Sequence, residues 1–221
     1  MIKLSRGEKP EELTNDVCEE LKKLYAEDKD RDVWNSSKIK EPLKKAMLEM
    51  SHGKCSYCEC KLGIESKDVT IDHFLPKSEN PDEVVEWENL FPACLRCNRK
   101  KNKREERIVN PCVDEPKEYL GVTSVNRYRL KGIDTQGIGK NTIEVIGLND
   151  IERVMVPRMT EWEALKVHLE EIEEDLKEEG YKNKYRNCLQ KIMENCLFDK
   201  SYAAVKATNL LNDSSYLQIK E

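Results

Sequence analysis

Apolar residues recur at helical intervals near both ends of this chain and lose that period in the middle. After Pro10, Leu13, Val17, Leu21 and Leu24 fall at steps of four, four and three, which predicts an amphipathic helix over residues 11–28. Leu43, Ala46, Met47 and Met50 mark one face of a second helix over 42–50, followed by His52-Gly53. Beyond Pro157, Met159, Trp162, Leu165, Leu169, Ile172 and Leu176 predict a long helix ending near Gly180. Leu189, Ile192, Met193 and Cys196 mark a further helical stretch, and residues 203–211 can form another.

Between these ends the period shortens. Val69-Thr70-Ile71 is a β-rich run that delivers Asp72 and His73 at its end, and Asn89-Leu90-Phe91 reads as a second strand before Pro92. Residues 98–107 contain no Gly or Pro and can continue as a helix, so the middle reads strand, strand, helix. Residues 111–149 carry Gly121, Gly132, Gly137, Gly139 and Gly147 and read as irregular. The expected fold class is α+β and predominantly helical. It divides into an N-terminal helical segment (1–52), a core (53–110), and an irregular connection with a C-terminal helical region (111–221).

The charged fraction of 37% with 6% aromatics fits a soluble protein with solvated helix faces. Net charge is −5, so any affinity for nucleic acid has to be local. No stretch reaches the roughly 18 uninterrupted apolar residues that span a bilayer, and residues 1–10 contain no apolar h-region. Nine cysteines, four of them in Cys-x-x-Cys couplets, suit a reducing compartment, and a cytoplasmic protein without a membrane partner is expected.

The couplets Cys55-x-x-Cys58 and Cys94-x-x-Cys97 lie about thirty-five residues apart. Thiolates at i and i+3 on a tight knuckle can reach one ion, and two knuckles supply the four soft ligands that Zn²⁺ favours. With all four positions filled by protein, such a zinc is structural. Cys60 is an alternative ligand, and most of the cysteines outside the couplets read as buried thiols. A purely non-catalytic zinc adaptor is the competing reading of these couplets.

Only His52, His73 and His168 are available as a general base. His168 lies within the amphipathic C-terminal pattern and His52 at a helix end, whereas His73 follows a strand and has Asp72 beside it. Cys55-x-x-Cys58, Ile71-Asp72-His73-Phe74-Leu75-Pro76, Asn89-Leu90 and Cys94-x-x-Cys97-Asn98-x-x-Lys101 together resemble the HNH endonuclease motif with zinc knuckles. The resemblance covers about a quarter of the chain and implies a ββα-metal core. It also implies that His73 is the general base, that Asp72 and Asn98 hold a catalytic divalent cation, and that Asn89 fixes the loop and the histidine. Asn98 stands where the last histidine of the motif usually lies, and a hard oxygen there suits Mg²⁺ or Mn²⁺. Independently, a neutral imidazole with an unperturbed pKa of about 6.5 can accept a proton from water near neutral pH.

Arg96, Arg99, Lys100, Lys101, Lys103 and Arg104 crowd the second couplet and are the expected nucleic-acid contacts, with DNA as substrate and RNA as the alternative. The opening residues 1–10, the Val109-Asn110-Pro111 exit and residues 141–149 resemble nuclease subunits of the Septu anti-phage system. That wider resemblance implies a hetero-oligomeric complex with a companion ATPase. In this chain Gly132-x-x-x-x-Gly137 has P-loop glycine spacing, but Ile138-Gly139 stands where Lys and Ser or Thr are needed.

Overall fold

The computed structural model describes residues 1–35, 38–65, 68–103, 106–125, 127–179 and 183–220, with the side chains of 178, 179, 183 and 184 left aside. Helix α1 (Asn15–Glu27) starts where the Thr14 side chain accepts the Val17 N–H at 3.3 Å, four residues later than apolar spacing alone suggested. Helix α2 (Lys40–Met50) packs against it. Leu13, Leu21, Trp34, Leu43, Met47 and Trp87 form one buried cluster between them and the loop that precedes the second strand.

Strand β1 (Thr70–His73) pairs antiparallel with β2 (Leu90–Ala93), placing Thr70 opposite Ala93, Asp72 opposite Phe91 and His73 opposite Leu90. β2 runs through Pro92, where the pattern placed its end. A two-stranded ladder leaves one side of each strand without a hydrogen-bonding partner strand, so a proline is tolerated there. Helix α3 (Leu95–Lys101) begins three residues before the expected start and stops six before the expected end. The Cys94 sulfur caps it by accepting the Cys97 N–H at 3.4 Å, and Asn102 at φ 45 ends it.

Residues 111–149 are not irregular. They form a short helix α4 (Pro116–Tyr119), a hairpin of β3 (Leu120–Val122) and β4 (Leu130–Gly132), and helix α5 (Ile138–Ile146). The glycines that suggested a loop let these elements touch. A Cβ on Gly139 would lie 2.0 Å from the Tyr119 carbonyl oxygen, and one on Gly132 would lie 2.6 Å from the Lys140 nitrogen. The amides a P-loop would offer to phosphate are already used, because Asp134 accepts the N–H groups of Ile138 and Gly139 at 2.8 Å.

A single π turn over Ile151–Met155 leads into α6 (Val156–Glu179), followed by α7 (Asn183–Glu194), α8 (Ala203–Leu211) and α9 (Ser214–Lys220). Gly180, where the first of these was expected to end, lies outside the described residues, and α9 was not anticipated. Trp162, Leu169, Ile172, Tyr185, Ile192 and Tyr216 close this bundle. A further cluster joins Cys55, Tyr57, Ala93 and Cys97 to Ile138, Ile146, Leu148, Val154 and Val205. The ββα core therefore shares its interior with residues 111–221. Among the described residues no helix is long and apolar enough to cross a membrane.

Candidate active site and metal centre

The first knuckle is a tight turn. Lys54 and Lys61 bridge its ends, the Cys55 N–H donates to the Cys60 carbonyl at 2.9 Å, and Glu59 adopts φ 67. The second knuckle is the junction of β2 and α3. Together they bring the sulfurs of Cys55, Cys58, Cys94 and Cys97, all buried, within 4.8 Å of one another. Four sulfurs about 2.3 Å from a tetrahedral zinc are separated by roughly 3.8 Å, and those of Cys58 and Cys94 stand 3.9 Å apart. The donor set fits a closed tetrahedral metal site. The Cys60 thiol lies against those of Cys55, Cys58 and Cys94, which makes it a spare ligand beside the four. Of the other cysteines, Cys18 and Cys196 are buried, Cys112 is partly so and Cys188 is exposed.

At the open edge of β1 lies a cleft of about 390 Å³. Thr70, Ile71, His73 and Asn98 line one wall, and Asp30, Asp32, Trp34, Lys40 and Lys44, together with Lys77, line the rest. His73 Nε2 pairs with the Val84 carbonyl at 2.9 Å. A carbonyl only accepts, so Nε2 carries the proton and Nδ1 keeps its lone pair. Burial pushes the His73 pKa down to about 4, with the Val84 carbonyl acting in the opposite sense. The imidazole is thus neutral across the physiological range and fixed in one tautomer, the state a general base requires.

Asn89 is buried and acts on the same ring at one remove. Its Oδ1 accepts the Leu75 N–H at 2.7 Å, and its Nδ2 donates to the Leu75 and Glu83 carbonyls at 3.2 and 3.1 Å. This ties the exit of β1 to the turn that carries Val84. Asn98 Nδ2 donates to Thr70 Oγ1 at 2.9 Å, which fixes α3 against β1. The remaining two histidines lie elsewhere: the His52 ring packs at a tilt of 58° against that of Phe198, and His168 pairs on the surface with Glu171 at 3.0 Å.

Asp72 does not converge on the cleft with His73. Successive side chains on a strand face opposite ways, and Asp72, 3% exposed, points inward. Its Oδ2 accepts from the Tyr57 hydroxyl, and its Oδ1 lies 3.4 Å from Lys101 Nζ. Burial raises its pKa to about 6, against the pull of Lys101 and Tyr57. Lys101 is correspondingly not a free nucleic-acid contact. It is 3% exposed and also donates to the His73 carbonyl at 2.5 Å.

Breaking a buried pair leaves an uncompensated charge that costs about 3–5 kcal/mol. Lys101→Met is expected to destabilise the protein by that order in a urea titration, and Lys101→Met with Asp72→Leu to recover most of it. A single variant as stable as the parent would show the pair to be idle.

The other basic positions scatter. Arg96 borders a separate cavity of about 600 Å³ with Cys58, Cys60, Cys97 and Arg153, while Arg99, Lys100 and Lys103 are exposed. Arg104 lies outside the described residues. Motif spacing missed Lys40, Lys44, Lys77, Asp30, Asp32 and Trp34, which come from outside the couplets or from the loop after β1. A signal for two of them was available: Lys40 and Lys44 stand one helical turn apart on α2.

The ββα order, the cysteine cluster and the tethered histidine lie together in one module. Residues 55–104 match the HNH endonuclease family model. Over 72% of its length the chain is 41% identical to the Septu protein PtuB of Bacillus thuringiensis, covering 59% of that protein. It is 27% identical to the Septu protein PtuB of Bacillus mycoides (strain KBAB4) over 49% of this chain and 47% of that one. The chain thus spans between 47% and 59% of the lengths of these two relatives.

Proposed function

We propose that the chain is a metal-dependent endonuclease that hydrolyses DNA phosphodiester bonds as the nuclease subunit of an anti-phage complex. The observation that carries this reading is a neutral imidazole, locked by the Val84 carbonyl at 2.9 Å, in a cleft with three lysines. His73 Nδ1 accepts a proton from the attacking water while Nε2 stays on Val84. Lys40, Lys44 and Lys77 hold the phosphates on either side of the bond to be cut, a task for point cations. Arg99, Lys100 and Lys103 extend that contact beyond the cleft.

Zinc on Cys55, Cys58, Cys94 and Cys97 keeps β2 and α3 in register with the first knuckle. A catalytic Mg²⁺ or Mn²⁺, when bound, supplies charge stabilisation to the phosphoryl and leaving oxygens. The Asn98 amide and a carboxylate would hold it. Asp72 can serve only by giving up Lys101 or Tyr57, whereas Asp30 and Asp32 already border the cleft.

The similarity to Septu proteins supports a role in defence and a companion ATPase within a hetero-oligomer.

Incubation with labelled DNA and RNA in parallel, with Mg²⁺, Mn²⁺ or chelator, tests the activity. Metal-dependent cuts in DNA are expected, and cleavage of RNA alone would replace the substrate. Titrating Mg²⁺ against Asp72→Asn and Asp32→Asn then identifies the carboxylate ligand. The variant in which half-saturation moves to higher metal concentration marks it, and no movement in either rejects both.

A further inference from the structure

We propose that a single DNA strand leaves the His73 cleft along α2 and stacks a base on the His52–Phe198 pair. The inference rests on the nuclease reading and extends it by naming the form of the substrate and its path. A second groove of about 560 Å³ adjoins the cleft, and the two share Lys44 and Val69 as lining residues. That groove follows α2 past Lys45 and Leu48 to His52. The helix is 11 residues long, roughly 16 Å. Glu41 and Glu49 border the same groove, and Glu41 Oε1 lies 3.9 Å from Lys44 Nζ. An exposed pair at that distance is weak and yields readily to a phosphate.

At the far end the His52 ring lies 4.7 Å from that of Phe198, which is 59% exposed. A single exposed aromatic is ordinary, but this one stands on a braced loop. Buried Lys54 donates to the carbonyl of Phe198 and, at 3.0 Å, to that of Lys200. Lys61 donates to the carbonyls of Asp199 at 2.7 Å and His52 at 3.1 Å. Both lysines belong to the first zinc knuckle, so the aromatic pair is held rigidly relative to the cleft. A π-face at the end of a groove that carries Lys44 and Lys45 suits an unpaired base, because a duplex keeps its bases stacked on each other. Asp32 and Trp34 border the cleft together with His73.

The test uses the full chain carrying His73→Ala, so that binding is read without turnover, with a fluorescein-labelled oligothymidine as probe. Phe198→Ala is expected to weaken binding about tenfold, and to have no effect on an abasic strand of the same length. Lys44→Ala with Lys45→Ala is expected to lower the salt slope by about 0.7 for each contact removed. Unchanged melting temperatures establish that each variant is folded. Affinity and salt slope unmoved in both overturn the path, as does a duplex that competes as well as the strand. If the His73-intact chain cleaves DNA while the variants bind normally, the path fails and the nuclease stands. If binding responds to the variants but no divalent metal yields cleavage, the nuclease fails and the path stands.

Discussion

Replacing Cys97 by Ser, in a chain already carrying Cys60→Ser, is expected to abolish metal binding and unfold the module around residues 55–101. The magnitude decides this. Structural zinc contributes an apparent free energy of about 10–16 kcal/mol at pH 7, whereas a whole domain is stable by only about 5–15 kcal/mol. The four sulfurs are gathered from a turn and a strand–helix junction, with two strands and a short helix between and beside them. A two-stranded sheet is marginal by itself. The Cys60 background is required because that thiol already touches three of the ligands and could take the place of Cys97. Metal content by mass spectrometry and far-ultraviolet circular dichroism check the outcome. A variant that keeps one bound zinc and native ellipticity would show that Cys97 is not a required ligand, and native ellipticity without zinc would show that the sulfurs gather without a metal holding them.

His73→Ala, by contrast, is expected to leave metal content and folding intact and to lower the cleavage rate by about 10²–10⁴-fold, the usual contribution of a general base. The ring is half-buried at the edge of β1 and makes one hydrogen bond, to Val84, so its removal costs little structure. Asn89→Ala is the informative companion. Asn89 supports the Val84 turn through the Glu83 carbonyl and is buried, outside the lining of the cleft, so its loss should depress kcat without moving KM. Cleavage by His73→Ala at the parental rate would remove His73 from the chemistry and, with it, the reason for the tethered tautomer.

Much of the ββα core was legible in residue spacing. The Cys55/Cys58 and Cys94/Cys97 couplets, about thirty-five residues apart, point to a four-sulfur site because a short i to i+3 turn can aim two thiolates at one ion. The amphipathic stretches near Leu13 and Trp162 likewise declare helices, since a periodic apolar stripe has to be buried. The boundaries were less legible. α3 begins at Leu95 because a cysteine sulfur caps it, and the hairpin of β3 and β4 is made of strands too short to show alternation.

The sequence by itself determined the chemistry on offer: four thiolates in ligand spacing, one histidine after a strand with Asn89 and Asn98 in order behind it, and lysines in abundance. Only the tertiary structure decided which of these meet. Asp72 and His73 are neighbours in the chain, yet the pleat of β1 sends one inward to Tyr57 and Lys101 and the other to the cleft. Lys101 sits in a basic run, yet the packing of α3 on β1 withdraws it from solvent. The far wall of the cleft comes from Asp32 and Lys44, close to forty and thirty residues before His73, and no local pattern encodes that approach. Local periodicity records which face of a segment is apolar. It does not record which other segment that face will cover, and the cleft exists only where two such faces meet.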